Sequence, residues 1–512
     1  MGVIGKLFKK SSELSYKRNY RKGIKSNFQK KTLLKLIGKA KDTRFGILHQ
    51  YDFILSSDEL VEEYQKNVPI TNYDEFHQKW LSKTIDGEKN HTWPGKVNYF
   101  ALTSGTTGSP SKRIPVTKHM IRSFQKTSVN QSSSFHKLNV SKDFFDAKFL
   151  VIGGSSKLKK VGDHYEGDLS GILKKNTAFI FKPLAKPNSA ITKISDWNIK
   201  LEKMIEQAPS WNIGTIAGVP SWCLMLMEKI IERYQLKTIH DIWPNFEVYM
   251  HGGVFMQPYK ARLDKIIGKK VFLLDTYLAS EGYFAYQTSP EKEGMDLILD
   301  KGVFYEFIPF TSDFFDEEGN LRDRYTAHTL DDVVEGLDYA IVISTNAGLW
   351  RYVIGDLVQF VNARSYEIKI TGRIKQYLSL AGEHLSLDNI NTAIVNVGNE
   401  FGVDISEFCI YADEENQRHM WYVGADSKVS VEEILKSIDI ELGDLNDDYK
   451  TCRKHNLNTP TLTVLSPQLF YDFLDKIGKS GAQNKFPRVL NKLQSENWLS
   501  FLEERKVSSN RN

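Results

Sequence analysis

From about Asn98 onward, short apolar runs of strand length alternate with polar loops and with segments of helical periodicity. That alternation restricts the chain to layered α/β architectures, in which helices cover the faces of a sheet. Residues 97–102, 246–250, 271–274, 339–344 and 357–361 read as strands. Residues 196–207 predict a helix, with Asp196 as N-cap and Trp197, Leu201, Met204 and Ile205 on one face. Pro220 suits the first turn of a helix running to about Tyr234. Neither an internal repeat nor a low-complexity linker interrupts the pattern.

Several strands end directly in loops whose residues carry chemistry. Residues 102–112 read Leu-Thr-Ser-Gly-Thr-Thr-Gly-Ser-Pro-Ser-Lys. Glycines let backbone N–H groups approach a phosphate, hydroxyls of Thr103, Ser104, Thr106 and Thr107 can donate to it, and Lys112 can neutralise it. The lysine stands four residues past Gly108, which disfavours a P-loop NTPase. A flexible Ser/Gly turn is the plain alternative. Residues 246–254 end in His251-Gly252-Gly253, where bare backbone can pack against a planar ligand. Residues 271–282 end in Tyr277-Leu-Ala-Ser280-Glu281-Gly282. Tyr277 can stack on a base or pack in the core, and Glu281 can hold Mg²⁺. Residues 349–356 place Arg351 and Asp356 among apolar neighbours. Asp356 can accept both hydroxyls of a ribose, or pair with Arg351. Residues 372–375 read Gly-Arg-Ile-Lys, with Gly382-Glu383 beyond them, and Lys485 stands in Gly-Ala-Gln-Asn-Lys-Phe-Pro-Arg near the C-terminus. In open α/β sheets ligands bind beyond the carboxyl ends of strands. A phosphate loop, an aromatic, a metal carboxylate and a ribose carboxylate together make a set suited to ATP and Mg²⁺.

The order and wording of these motifs resemble the ANL adenylate-forming superfamily. More closely, they resemble the auxin-responsive-promoter (GH-three-type) acyl acid–amido synthetases and their bacterial relatives. Residues 103–112 are similar to that family's S-S-G-T-[ST]-x-G-x-x-K, residues 277–282 to its Tyr-x-x-Ser-Glu-Gly, and residues 350–356 to its Tyr-Arg-Tyr-x-x-Gly-Asp with Trp first. Residues 372–383 are similar to the superfamily hinge. The resemblance runs from about residue 98 to 490.

The resemblance implies a large α/β N-terminal body of mixed sheets flanked by helices, residues 1–374. It also implies a small mobile α+β C-terminal lid, residues 375–512. It implies that a carboxylic acid attacks ATP to give an acyl-adenylate, and that an amine, an amino acid, then displaces AMP. Coenzyme A as acceptor, or a catalytically degenerate nucleotide binder, are the alternatives. Thr103, Ser104, Thr106, Thr107 and Lys112 would bind phosphates. Tyr277 would stack on adenine against Gly252 and Gly253, with Ser280 beside it. Glu281 would hold Mg²⁺, Asp356 the ribose and Arg373 the nucleotide. Lys375 would be the hinge, and Lys485 the lid lysine at the α-phosphate. Trp197, Trp222 and Met225 could line an acyl pocket or simply fill the core.

Charge adds one asymmetry. Residues 1–45 hold 14 Lys/Arg against Glu13 and Asp42, so with +5 overall the remaining residues sum to −7. A mildly acidic body argues against nucleic-acid binding. In the basic leader Val3, Ile4, Leu7 and Phe8 share one helical face. It reads as a solvated cap, or as a weak contact of residues 1–31 with an anionic membrane. No apolar run nears the ~18–20 residues that span a bilayer. Cys223, Cys409 and Cys452 are too scattered for a disulfide framework, which suits a reducing, cytoplasmic setting.

Overall fold

Strands β12 (Val303–Pro309) and β13 (Asp338–Thr345) are buried at nearly every position, as strands covered on both faces should be. They belong to a computed structural model that describes residues 27–505, apart from 104–111, 178, 317–318, 375–377, 379, 382, 384, 426–429 and 482–483. The earlier strands are β1 (Tyr99–Thr103), β2 (Lys112–Val116), β3 (Lys148–Val151), β4 (Lys159–Val161), β5 (His164–Gly167) and β6 (Ala185–Lys186). Next come β7 (Ile213–Ala217), β8 (Val248–Gly252), β9 (Phe272–Ala279), β10 (Gly282–Tyr286) and β11 (Met295–Leu297). After β13 follow β14 (Tyr352–Asn362), β15 (Glu367–Arg373), β16 (Glu407–Asp413), β17 (Arg418–Gly424) and β18 (Thr461–Leu465).

An 11-stranded sheet of order β12-β13-β14-β15-β11-β10-β9-β8-β7-β3-β6 forms the backbone of the molecule. From β6 to β9 the neighbours are parallel; from β9 to β12 they are antiparallel. The parallel strands feed helices such as Pro220–Tyr234 and Gln257–Ile266, so their carboxyl ends share one rim of the sheet. A second sheet, β2-β1-β5-β4, carries the predicted phosphate loop between β1 and β2. The third, β16-β17-β18, packs beneath the helices Leu387–Phe401 and Val431–Leu445 in its own apolar core. This is the mixed α/β architecture implied by the sequence.

The helix Trp197–Gln207 forms as its pattern predicts, with the Asp196 side chain accepting from Ile199 N–H. Trp197 and Trp222 do not line an open pocket. They are 7 % and 2 % exposed, in a core shared by the body and by Tyr471, Phe486 and Trp498 of the C-terminal part. The basic leader also divides. Residues 3–8 lie outside the described residues, whereas the helix Asn27–Ala40 is built into the body. Its Leu33, Leu36, Ile37 and Ala40 are buried. Gln29 donates to the Val303 carbonyl at 3.1 Å and accepts from Tyr305 N–H at 2.8 Å. It thereby covers the start of the outer edge of β12, whose Phe307 pairs with His328, and an edge left open would invite strand pairing. No helix among the described residues is long and apolar enough to cross a membrane.

Candidate active site

The β9–β10 hairpin turns at Ser280-Glu281, because Ala279 pairs with Gly282. Glu281 is buried and accepts no side-chain hydrogen bond from another residue among those described. Burial, reinforced by the charge of Asp356, pushes its carboxyl up to about 7, against the pull of Lys112 and Arg373. A buried carboxylate short of compensating charge is a natural place for a cation.

Asp356 lies on β14, on the far side of the curled sheet from β9. Tyr277 donates its hydroxyl to Asp356 Oδ2 at 2.7 Å, and Arg373 Nε stands 2.8 Å from Oδ1. Each oxygen keeps a lone pair, so the carboxylate can still accept two vicinal hydroxyls. Arg373 is half-exposed, and Asp356 holds its guanidinium firmly protonated. The alternative pairing of Asp356 with Arg351 is not formed. Arg351 is instead buried against Glu306, with Nη2 at 2.8 Å from Oε1 and Nε at 3.0 Å from Oε2. It also donates to the Gln65 and Val68 carbonyls at 2.8 and 2.7 Å. Its role is to tie the N-terminal helices to the sheet. Tyr277 differs from expectation as well. Its ring is 3 % exposed and packs edge-on against Phe284, so no open face is offered to a base. Its hydroxyl holds Asp356.

Thr103 ends β1 and pairs with Lys112, which opens β2. Ser104, Thr106 and Thr107 lie between them, outside the described residues, as does Lys375 of the hinge motif. The exit of this loop is held by Tyr73, a residue that no motif points to. Tyr73 accepts from Arg113 N–H at 2.9 Å, while the Lys112 ammonium sits 5.0 Å from the centre of its ring. The Arg113 side chain meets Glu166 at 2.7 Å, and Glu166 also takes His164 at 3.0 Å. The pattern Asn72-x-x-Glu75 marks a capping box and so a helix start at Tyr73, yet it says nothing of what Tyr73 touches.

Gly252 ends β8, where a Cβ would run into the Thr276 carbonyl of β9. Gly253 follows with φ +82°, and Lys485 Nζ donates to its carbonyl. Lys485 thus reaches from the C-terminal part into the rim where β8 and β9 end. Lys485 keeps much of its side chain exposed, but partial desolvation of the ammonium at the rim, with Arg373 nearby, lowers its pKa to about 8. His251, beside the glycines, is buried, with its pKa lowered to about 4 by desolvation; it remains neutral. Within the hinge motif Glu383 is fully buried, accepting from Leu380 and Ala381 N–H groups and paired with His419 at 2.8 Å.

Family models match most of the chain. The GH3 family N-terminal domain matches residues 25–162 and 156–272, the central domain residues 297–373, and the C-terminal domain residues 388–494. The chain belongs to the GH3 family. Among GH3 relatives, the jasmonoyl–L-amino acid synthetase GH3.5 of Oryza sativa subsp. japonica is 24 % identical over 283 residues, 51 % of this chain and 48 % of that protein. The 4-substituted benzoates-glutamate ligase GH3.12 of Arabidopsis thaliana is 23 % identical over 518 residues, 84 % of this chain and 87 % of that protein. An indole-3-acetic acid-amido synthetase, GH3.2 of Arabidopsis thaliana, matches over 34 % of its length. The chain therefore spans about half or less of several curated relatives. The solved GH3.15 acyl acid amido synthetase superposes with TM-score 0.76 at 17 % identity, covering 93 % of each chain. A 2-hydroxyisobutyryl-CoA ligase in the postadenylation state gives TM-score 0.59 at 12 % identity, over 93 % of this chain and 91 % of that one. Both are likenesses of fold.

Among the described residues no three His, Cys, Asp or Glu side chains converge as a metal cage. Glu281 alone suits Mg²⁺, which commonly takes one or two protein carboxylates and completes its shell with phosphate oxygens and water.

Proposed function

We propose that this GH3 chain activates a carboxylic acid with ATP and passes the acyl group to an amine, an amino acid. The observation that carries the reading is the convergence of Lys485, Glu281 and the Tyr277–Asp356–Arg373 group at the rim of one sheet. In the first step a carboxylate oxygen attacks the α-phosphorus, and the bond to the β-phosphate breaks, releasing pyrophosphate. In the second, the amine nitrogen attacks the acyl carbon, the acyl–oxygen bond breaks, AMP leaves, and the amine gives up a proton. Asp356 would hold the ribose hydroxyls, with Tyr277 and Arg373 fixing its two oxygens. Thr103, Lys112 and the hydroxyls of Ser104, Thr106 and Thr107 would receive the departing phosphates. Mg²⁺ held by Glu281 would offset phosphate charge. Lys485 would stand at the carboxylate and α-phosphate, where negative charge builds in the transition state. Residues 375–512 would act as a lid turning about Lys375, withdrawing Lys485 before the amine enters.

The test is carboxylate-dependent exchange of pyrophosphate into ATP over a panel of aryl and aliphatic acids, followed by addition of amino acids or coenzyme A to the responding ones. Exchange with at least one acid, and AMP release driven by an amino acid without coenzyme A, is the expected result. Release that requires coenzyme A would make it an acyl-CoA ligase, and no exchange with any acid would overturn adenylation. Lys485→Ala should slow exchange far more than it weakens ATP binding; an unchanged exchange rate would remove Lys485 from the chemistry.

A further inference from the structure

Lys485 is carried on a short extended stretch that the body grips at both ends. At one end, Trp222 of the helix Pro220–Tyr234 donates its indole N–H to the Asn484 carbonyl at 2.6 Å. At the other, Arg488 donates to the hydroxyl of Tyr259, on the body helix Gln257–Ile266, at 2.8 Å. The Arg488 carbonyl accepts from Ile410 N–H at 2.8 Å, which adds the stretch alongside β16.

The Tyr259 end is the more elaborate. Tyr259 donates to Glu407 Oε1 at 3.0 Å, and Tyr471 donates to the same oxygen at 2.8 Å. Arg488 reaches Glu407 Oε2 at 3.0 Å and the Ser406 and Phe408 carbonyls at 2.9 and 3.0 Å. Glu407 and Tyr259 are 2 % and 1 % exposed. Within this buried group Glu407, Arg488 and Tyr471 belong to the C-terminal part; from the body, Tyr259 meets Glu407 and Arg488, and Arg262 meets Tyr471. Arg262, one turn further on the same helix, pairs with Glu228 at 2.7 Å and donates to Ser406 Oγ at 2.9 Å. A buried hydrogen-bonded ion pair holds its geometry tightly, because a half-made arrangement leaves charge unsolvated.

We propose that Tyr259 is the positioning residue for Lys485: by holding Arg488 and Glu407 against the body, it sets the place of residues 484–488 and so keeps the Lys485 ammonium at the Gly253 carbonyl. Trp222 does the same from the other end. The catalytic meaning of that placement rests on the adenylating reading, but the placement itself can be measured without substrate.

Trace labelling of the full-length protein with acetic anhydride across pH, read by mass spectrometry on the Lys485 peptide, reports how the ammonium is held. The wild-type midpoint should lie near 8. In Tyr259→Phe, which keeps the ring but not the hydroxyl, the midpoint should rise by at least one unit toward the ordinary lysine value of about 10.4. Circular dichroism should stay unchanged, and melting should fall only by the few degrees that one lost buried hydrogen bond brings. Arg488→Lys, which keeps the charge opposite Glu407, should behave alike and serves if Tyr259→Phe does not fold. Trp222→Phe tests the other anchor. An unmoved midpoint in any folded variant of the Tyr259 anchor overturns the inference. With an acid that supports exchange, Tyr259→Phe should lower kcat at least tenfold and leave KM for ATP within about twofold. If labelling shifts and no acid supports exchange, the placement stands and the adenylating reading falls.

Discussion

Tyr277 and Asp356 hydrogen-bond at 2.7 Å although three strands lie between theirs in the sheet order. With neighbouring strands about 4.8 Å apart, a flat sheet would separate them by roughly 19 Å. The sheet must therefore curl until β9 and β14 face one another, and the carboxylate proposed to hold the ribose sits in the crease. Losing the Tyr277 hydroxyl leaves Asp356 buried with one partner fewer. Tyr277→Phe should lower kcat/KM for ATP in pyrophosphate exchange about tenfold, the worth of a charge-assisted hydrogen bond. Asp356→Ala should cost at least a hundredfold. Equal effects of the two substitutions would show that Tyr277 does more than hold Asp356.

The pH dependence of exchange should be bell-shaped and narrow. Glu281 must be ionised to hold a cation and carries a proton below about 7, so kcat/KM falls on the acid side. Lys485 must be charged and loses its proton above about 8, so activity falls on the alkaline side. Raising Mg²⁺ should move the acid limb to lower pH, because cation and proton compete for Glu281. Lys485→Arg should move the alkaline limb upward whatever it does to the maximum rate. Limbs indifferent to both changes would mean that other groups titrate.

Glu281 should also destabilise the fold. Its folded pKa is raised, so the native state binds its proton more tightly than the unfolded chain does. Stability therefore declines as pH rises from about 4.3 to about 7, and the cost is complete above that window. Glu281→Gln should raise unfolding free energy by on the order of 2–3 kcal/mol at pH 8 without Mg²⁺, with little effect at pH 4. Urea titrations at the two pH values would show it, and a Gln variant no more stable at pH 8 would contradict the raised pKa.

Motifs contiguous in the chain are legible from the order of residues alone. Gly252-Gly253, Ser280-Glu281 and Asp356 each follow or end an apolar run, and the rule that ligands sit at strand ends groups them. The helix at 197–207 is legible because cap and periodicity agree. Pairing across the chain leaves no such trace. Arg351 and Asp356 are five residues apart and invite a local pair, but Arg351 meets Glu306, 45 residues away. Tyr73 and Arg113 are 40 residues apart, and Tyr259 and Arg488 229. A tyrosine looks the same in sequence whether it stacks on a base, holds a carboxylate or pins a loop.

The Arg351–Glu306 pair should behave as a buried ion pair. Arg351→Met strands Glu306 and two carbonyls, and should cost about 3–5 kcal/mol by urea unfolding at pH 7. Replacing both, as Arg351→Met with Glu306→Leu, should return much of that loss. A single variant within about 1 kcal/mol of wild type would place the pair among the weak ones.

Tyr73 offers Lys112 a ring and Arg113 an acceptor, and two substitutions separate them. Tyr73→Phe should raise KM for ATP about threefold and Tyr73→Leu about tenfold, since the second also removes the ring under the ammonium. If the two are indistinguishable by exchange kinetics, the contact between Lys112 and the ring has no weight in binding.

The curl that joins Tyr277 to Asp356 also sets an order of events during synthesis. The glutamate and tyrosine of the β9–β10 hairpin emerge from the ribosome well before Asp356, and Arg373 ends the last strand of the large sheet. Until that strand has paired, the chain holds half of the proposed nucleotide site. Lys485 follows more than a hundred residues later still. On the proposed reading, a nascent or truncated chain would be silent toward ATP, and competence would arrive only once Lys485 has joined the site.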